Sequence, residues 1–259
     1  MQPVVPLRRR YVHLRPLPQR QRGWISPTQK GIPMSPHPLS PLDLVVRGAL
    51  TRAIAELGHA PPNGELARML GVPQAELEQA LLRLHDAHAL LLHPDCRVPW
   101  VVHPFALSPG SCWVESGARG WWANCLWCGM GIAAALRQDA DIHTRIGGER
   151  EPVVIHIRDG RVGETGLLFH LSTPVRSWWD NVIHACATFQ PFRSEAGIDA
   201  WCERHAMPRG AVMRLPELRD FAADWYGGYL DEPWRRRSPG EVKALFLRHG
   251  LTGDFWNRD

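Results

Sequence analysis

The sequence predicts an α+β protein. Three observations point there. Residues 42–84 hold apolar positions at helical spacing in three short blocks. Two strand-like runs follow at once. Beyond residue 103, apolar runs of strand length alternate with amphipathic helical segments. At 259 residues the chain can build one domain with a sizeable core and a smaller one beside it.

The first helix is expected over 42–58, where Leu44, Val45, Ala49, Leu50, Ile54 and Leu57 repeat at helical spacing, with Asp43 as N-cap and Gly58 as stop. Pro61, Pro62, Asn63 and Gly64 form a turn. Glu65–Leu70, a break at Gly71, and Pro73–Leu84 then give helix, turn, helix. Ala89–His93 and Val98–Val102 read as strands around a Pro94-Asp95 turn. Three helices and a hairpin are the pattern of a winged helix, which sets a first domain at 42–103. A DNA-reading winged helix needs basic residues against phosphate, whereas Gln74, Glu76, Glu78 and Gln79 lie on the outer positions here. The expected role is a helical platform, and no nucleic-acid partner is expected.

Residues 104–259 are expected to form a second domain, a mixed β-sheet with flanking helices. Cys112-Trp113-Val114 reads as a strand. Trp121–Leu136 is a long apolar stretch that ends as a helix. Val153–Ile157, Leu167–Leu171 and Ala185–Phe189 read as strands, with Asp159-Gly160 as the turn between the first two. Ser194–His205 is a helix capped by Ser194, with Ile198, Trp201 and Cys202 as its buried stripe. Leu215–Tyr229 and Ser238–His249 complete the helices.

Residues 1–41 differ in kind. They hold nine Pro, six Arg and one Lys, and no acid. Such a segment cannot pack a core and reads as a disordered tail. Met34 is the expected translation start, with 1–33 an extension of the gene reading. The tail also explains the net charge of +4: without its seven cations the rest holds 23 basic and 26 acidic residues, or −3. A mildly acidic body argues against a general nucleic-acid footprint. The sequence has no apolar run of membrane-spanning length and no secretory h-region, so a cytoplasmic protein is expected.

Six Cys in a chain of this size are too few for a disulfide scaffold, and paired Cys in a reducing setting point to metal or catalysis. Cys125-Leu126-Trp127-Cys128 is the strongest such signal. Its two thiols share one face of a helical turn, and a helix N-terminus favours the thiolate. Structural zinc would need two further ligands at matching spacing, a thioredoxin-like pair would need a βαβ setting, and a buried inert pair also fits this local evidence. Cys96, Cys112 and Cys202 read as structural. His156 and His170 sit on expected strands. Trp122, Trp127 and Trp178 are candidates for an apolar pocket wall.

Trp122-Ala123-Asn124-Cys125 opening an apolar helix resembles the catalytic helix of the alkylmercury lyases, the organomercurial lyases of bacterial mercury resistance. A second Cys, Cys186, leads through Phe189, Ser194, Glu195 and Ala196 to Trp201, as the second catalytic Cys of that family does. The resemblance covers roughly 42–210, winged helix included. It implies protonolysis of a carbon–mercury bond to hydrocarbon and Hg(II). Mercury is soft and prefers sulfur, so two thiolates hold it; by the resemblance these are Cys125 and Cys186. It implies no resident cofactor, external thiols for release, and a mercuric reductase as a partner receiving Hg(II). The family's proton carrier is an Asp three residues after the first Cys. Here that position is Cys128, which is expected to act as the acid or as a third mercury ligand, with Asp180 as a substitute acid and His184 as a group that tunes Cys186. The alternative is a non-catalytic mercury-binding or mercury-sensing protein on the same fold.

Overall fold

The computed structural model describes residues 38–257. The expectations for the tail before residue 38, the start at Met34 included, lie outside the described residues. Helix α1 spans Pro41–Leu57. Its N-cap is Ser40, not Asp43. The Ser40 hydroxyl accepts from the Asp43 backbone N–H at 3.3 Å, and the Asp43 carboxylate accepts from the Ser40 N–H at 2.8 Å. That reciprocal box places Asp43 in the first turn, where the dipole favours an acid. Gly58 ends the helix in the left-handed conformation, at φ 78°. Helices α2 (Asn63–Leu70) and α3 (Gln74–Asp86) follow, then an antiparallel pair of short strands, β1 (Leu91–Leu92) and β2 (Pro99–Val102).

β2 does not end a separate sheet. It pairs with β3 (Phe105–Ala106), which pairs with β5 (Arg119–Ala123), and the sheet continues through β4 (Cys112–Ser116), β6 (Ala140–Arg145), β7 (Pro152–Arg158) and β8 (Arg161–Val162). A second sheet has the order β10-β9-β11, from β9 (Leu168–Leu171), β10 (Gln190–Phe192) and β11 (Ala211–Arg214).

Among the described residues every ladder is antiparallel, which corrects the expectation of a mixed sheet. The reason lies in the connections. A parallel pair of neighbours needs a long crossover between them. The one helical crossover within the large sheet, α4 (Leu126–Leu136), carries the chain from β5 to β6, and these strands flank β4 without touching each other. The Asp159-Gly160 turn joins β7 to β8, a strand too short to stand out in sequence.

One segment ends as a helix as expected, and one changed type. Trp121–Leu136 divides at Asn124-Cys125 into the end of β5 and all of α4. Ala185–Phe189 is not a strand. Helix α5 (Val182–Ala187) starts there because the Asn181 side chain accepts from the His184 backbone N–H at 3.0 Å. The strand begins only at Gln190, which pairs with His170. Helix α6 (Glu195–His205) keeps its expected cap and buried stripe, and α7 (Leu215–Tyr226) and α8 (Pro239–Arg248) close the fold. Among the described residues no helix is long and apolar enough to cross a membrane.

His170 is fully buried on β9, and its Nε2 accepts from the Gly210 backbone N–H at 3.1 Å. Burial, then the charge of Arg209, hold its pKa down to about 4 from an ordinary 6.5. The unfolded chain therefore binds this proton first. The contribution of neutral His170 is complete above pH 6.5 and is lost as pH falls from 6.5 through about 4. The span corresponds to roughly 3 kcal/mol. Urea unfolding at pH 7 and pH 4.5 is expected to show a fall of that order, and His170→Gln should flatten it. An unchanged slope in the variant would assign the pH dependence elsewhere.

Candidate metal-binding active site

The site begins where β5 turns into α4. Cys125 is the N-cap of α4, with extended backbone at φ −152° and ψ 173°. Its carbonyl accepts the Gly129 N–H at 2.9 Å. Cys128 lies three residues on, in the first turn. The two occupy the positions of a capping box, with thiols in place of hydroxyl and carboxylate. Instead of bonding the backbone they meet each other, Sγ to Sγ at 3.6 Å.

Cys186 arrives from α5. The ligand atoms of Cys128, Cys186 and His103 all lie within 4.8 Å of one another. Thus the three Cys expected at the site do converge, from two segments about 60 residues apart in the chain. All three are buried: Cys125 is 0% exposed, Cys128 1% and Cys186 5%. Burial raises Cys125 well above the ordinary thiol range, with its bonds to Cys128 and Cys186 acting the same way. Cys128 moves well below that range. Its bonds to Cys125 and Cys186 are the largest cause, and the charge of His103 and a bond to the Tyr226 hydroxyl add to them against the cost of burial. The cluster therefore favours a single thiolate, on Cys128, backed by two thiols that keep their protons.

A cavity of about 370 Å3 opens onto this cluster. Cys128, Cys186 and His103 line it; Cys125 does not, and stands behind them. Trp127 and Trp178 form part of its wall as expected, with ring centroids 5.3 Å apart. Trp127 also stacks on Phe221 at 5.0 Å. Trp122 is not in the wall. Alternation along β5 sends Trp121 inward and turns Trp122 against Trp113 at 4.9 Å.

Two groups at the centre were missed in the sequence. Tyr226, on α7, brings its hydroxyl to 3.8 Å from Cys128 Sγ. Its signal was only a Tyr at the end of an amphipathic helix. His103 follows β2, and its carbonyl accepts from Arg47 at 2.6 Å. Burial lowers its pKa, while Cys128 nearby raises it and Arg47 lowers it further. The two substitutes weighed in the sequence fall outside. Asp180 and His184 are both exposed and neither lines the cavity. Among the described residues no Asp or Glu lines it. Cys96 is exposed in the β1–β2 turn, Cys112 is buried on β4 with its pKa pushed up to about 11 by burial, and Cys202 is buried on α6.

The cluster offers donors for a soft or borderline thiophilic metal ion. Three sulfurs and an imidazole favour such an ion over hard cations, and the aromatic wall fits an apolar group attached to it. Comparison with known proteins gives the same direction. Residues 105–227 match the family model described as alkylmercury lyase. One similar solved structure is described as the mercury-bound form of MerB2, with 18% sequence identity, a TM-score of 0.61, and coverage of 74% of this chain and 93% of that one. At that identity the likeness speaks for the fold. A comparison with curated proteins finds no match. Over residues 105–227, just under half of its length, the chain is similar to the alkylmercury lyase family.

Proposed function

We propose that this protein cleaves carbon–mercury bonds by protonolysis, gripping the metal with Cys128, Cys186 and Cys125. The observation that carries the reading is the convergence of these thiols beside an aromatic-walled cavity. An organomercurial cation entering that cavity meets Cys128 and Cys186 first. The Cys128 thiolate bonds to mercury. A second thiol bonds next and gives up its proton, which goes to the carbon as the carbon–mercury bond breaks. One thiolate, one thiol and R–Hg⁺ thus yield R–H and a neutral dithiolate of Hg(II), with atoms and charge in balance. The cluster's own proton meets the stoichiometry without an Asp. The Tyr226 hydroxyl lies 3.8 Å from Cys128 Sγ and the His103 ring within 4.8 Å of the Cys128 and Cys186 sulfurs, so both are near enough to help pass the proton on. Residues 42–103 serve as a winged-helix-like platform that supplies Arg47 and His103 to the site.

Purified protein with phenylmercury and excess thiol is expected to release benzene. Stoichiometric Hg(II) binding without benzene would replace the enzyme by a trap. The cavity's lack of a carboxylic acid favours that second reading, because three sulfurs can hold Hg(II) too tightly to let it go. Cys128→Asp separates the two. It is expected to raise benzene release per bound mercury, since a carboxylic acid is the stronger proton donor and two sulfurs remain. If the variant only loosens Hg(II), the site is a three-thiolate trap.

A further inference from the structure

Among the described residues five arginines line the cavity: Arg47, Arg176, Arg235, Arg236 and Arg237. Nothing in carbon–mercury chemistry or in thiol ligation requires them. Arg235 is paired with Glu241 at 2.8 Å. Three others bond only to neutral acceptors. Arg176 donates to the Asp254 carbonyl at 3.2 Å, and Arg237 donates to the Trp225 and Asp224 carbonyls, each at 2.6 Å. Arg47 donates to the Ala89 carbonyl at 2.9 Å, the His103 carbonyl at 2.6 Å and the Thr51 hydroxyl. Among the described residues none of these three has a carboxylate partner.

Arg47 is the telling one. It is 1% exposed, on α1, with the Trp234 ring 5.1 Å and the Tyr229 ring 5.8 Å from its guanidinium carbon. Burial pulls its pKa down only to about 10, so it stays charged at neutral pH. Carbonyls and aromatic faces offset part of the desolvation, but a buried cation is normally completed by an anion. Here Arg47 is among the residues that line the cavity.

We infer that the substrate's organic group carries an anionic head, a carboxylate or sulfonate on an aryl body. The mercury end meets the thiols, the aryl body lies along Trp127 and Trp178, and the head bonds Arg47 with Arg176 or Arg237. This rests on the lyase reading for the mercury end alone. The anion pocket stands on the arginines.

The test compares 4-carboxyphenylmercury with phenylmercury in the full-length protein, using the uncharged thiol 2-mercaptoethanol. The expected result is a preference of about tenfold in kcat/KM for the carboxylate, the scale of one charge-assisted bond. That ratio should fall toward one in Arg47→Gln. Should Arg47→Gln fail to fold, Arg176→Gln with Arg237→Gln, both nearer the surface, carries the same test. A second readout needs no cleavage. Benzoate, but not benzyl alcohol, is expected to quench tryptophan fluorescence at saturable concentrations, and less so in the variants. If neither mercurial is cleaved yet benzoate binds through the arginines, the lyase reading falls and the anion pocket stands. If both mercurials are cleaved equally and benzoate does not bind, the pocket is overturned and the lyase reading stands. A preference that follows a carboxylate-bearing thiol, mercaptosuccinate, and not the mercurial also overturns it.

Discussion

Cys186→Ser is expected to lower kcat/KM for phenylmercury cleavage by at least about 10³, the scale seen when one member of a concerted catalytic group is removed. The hydroxyl is hard and weakly acidic, so it neither ligates mercury nor yields a proton on doing so. Geometry makes the loss specific. Cys125 and Cys128 remain 3.6 Å apart and could still share a small Hg(II) ion, but Cys125 does not reach the cavity. An organomercurial with an aryl group in the cavity is then left with one accessible thiol. Hg(II) binding at one ion per chain should survive while benzene release does not. Cys202→Ser and Cys96→Ser serve as controls, since Cys202 lies on the stripe of α6 and Cys96 is exposed; both should stay within about twofold, as substitutions away from a site do. Retention of activity within tenfold in Cys186→Ser would remove Cys186 from the site.

Much of this site was legible because it depends on residue types at fixed short spacing. Cys125 and Cys128 announce a helix start by their separation, and the structure places them at N-cap and in the first turn. Helices with strong caps were legible for the same reason, as with Ser194 before α6 and Ser238 before α8. What was not legible came from elements too short to show a period. β3 and β8 have two residues each, and α5 has six, three of them Ala or Cys with little preference either way. β6 does alternate, with Ala140, Ile142 and Thr144 inward and Asp141, His143 and Arg145 outward, but only Ile142 of its inward residues is strongly apolar, so the pattern is faint.

The missed functional groups follow a different rule. His103 and Tyr226 reach Cys128 only through tertiary packing: one from the turn after β2, the other from a helix about 100 residues further along the chain. No local pattern marks either. Arg47 was hidden by its place in a helix, where one Arg among apolar residues reads as a solvated side chain, although it is fully enclosed. The sequence suggested an acid to replace the missing Asp, and Asp180 was the nearest carboxylate to a Trp pair. Its exposure shows why proximity in sequence misled: the 3-10 turn over Val175–Ser177 leaves Trp178 buried and Asp180 exposed.

Gly131→Ala is expected to destabilise the fold by roughly 1–3 kcal/mol, the scale of an overpacked core. The sign is not obvious, because Gly131 lies inside α4, where Ala is ordinarily better by about 1 kcal/mol. Packing decides it. A Cβ on Gly131 would stand 2.3 Å from Tyr226 Cδ2 and 2.8 Å from Cε2. The ring cannot step aside easily: Tyr226 is 3% exposed and packs against Trp127 at 5.5 Å and Tyr229 at 5.0 Å. So α4 and α7 must part, and the Tyr226 hydroxyl moves off Cys128. Activity should fall further than the lost stability accounts for, measured as kcat at a temperature where the variant is fully folded. Gly197→Ala is the control. It lies in α6, where the added carbon would meet only Ser194 Oγ at an ordinary 3.5 Å, so it should be neutral or stabilising. A double-mutant cycle with Tyr226→Leu locates the cause, since shortening the ring system relieves the clash and the two changes should then be less than additive. If Gly131→Ala raises the melting temperature as Gly197→Ala does, the α4–α7 approach is looser than the fold requires, and Tyr226 loses its claim to a fixed place beside the thiolate.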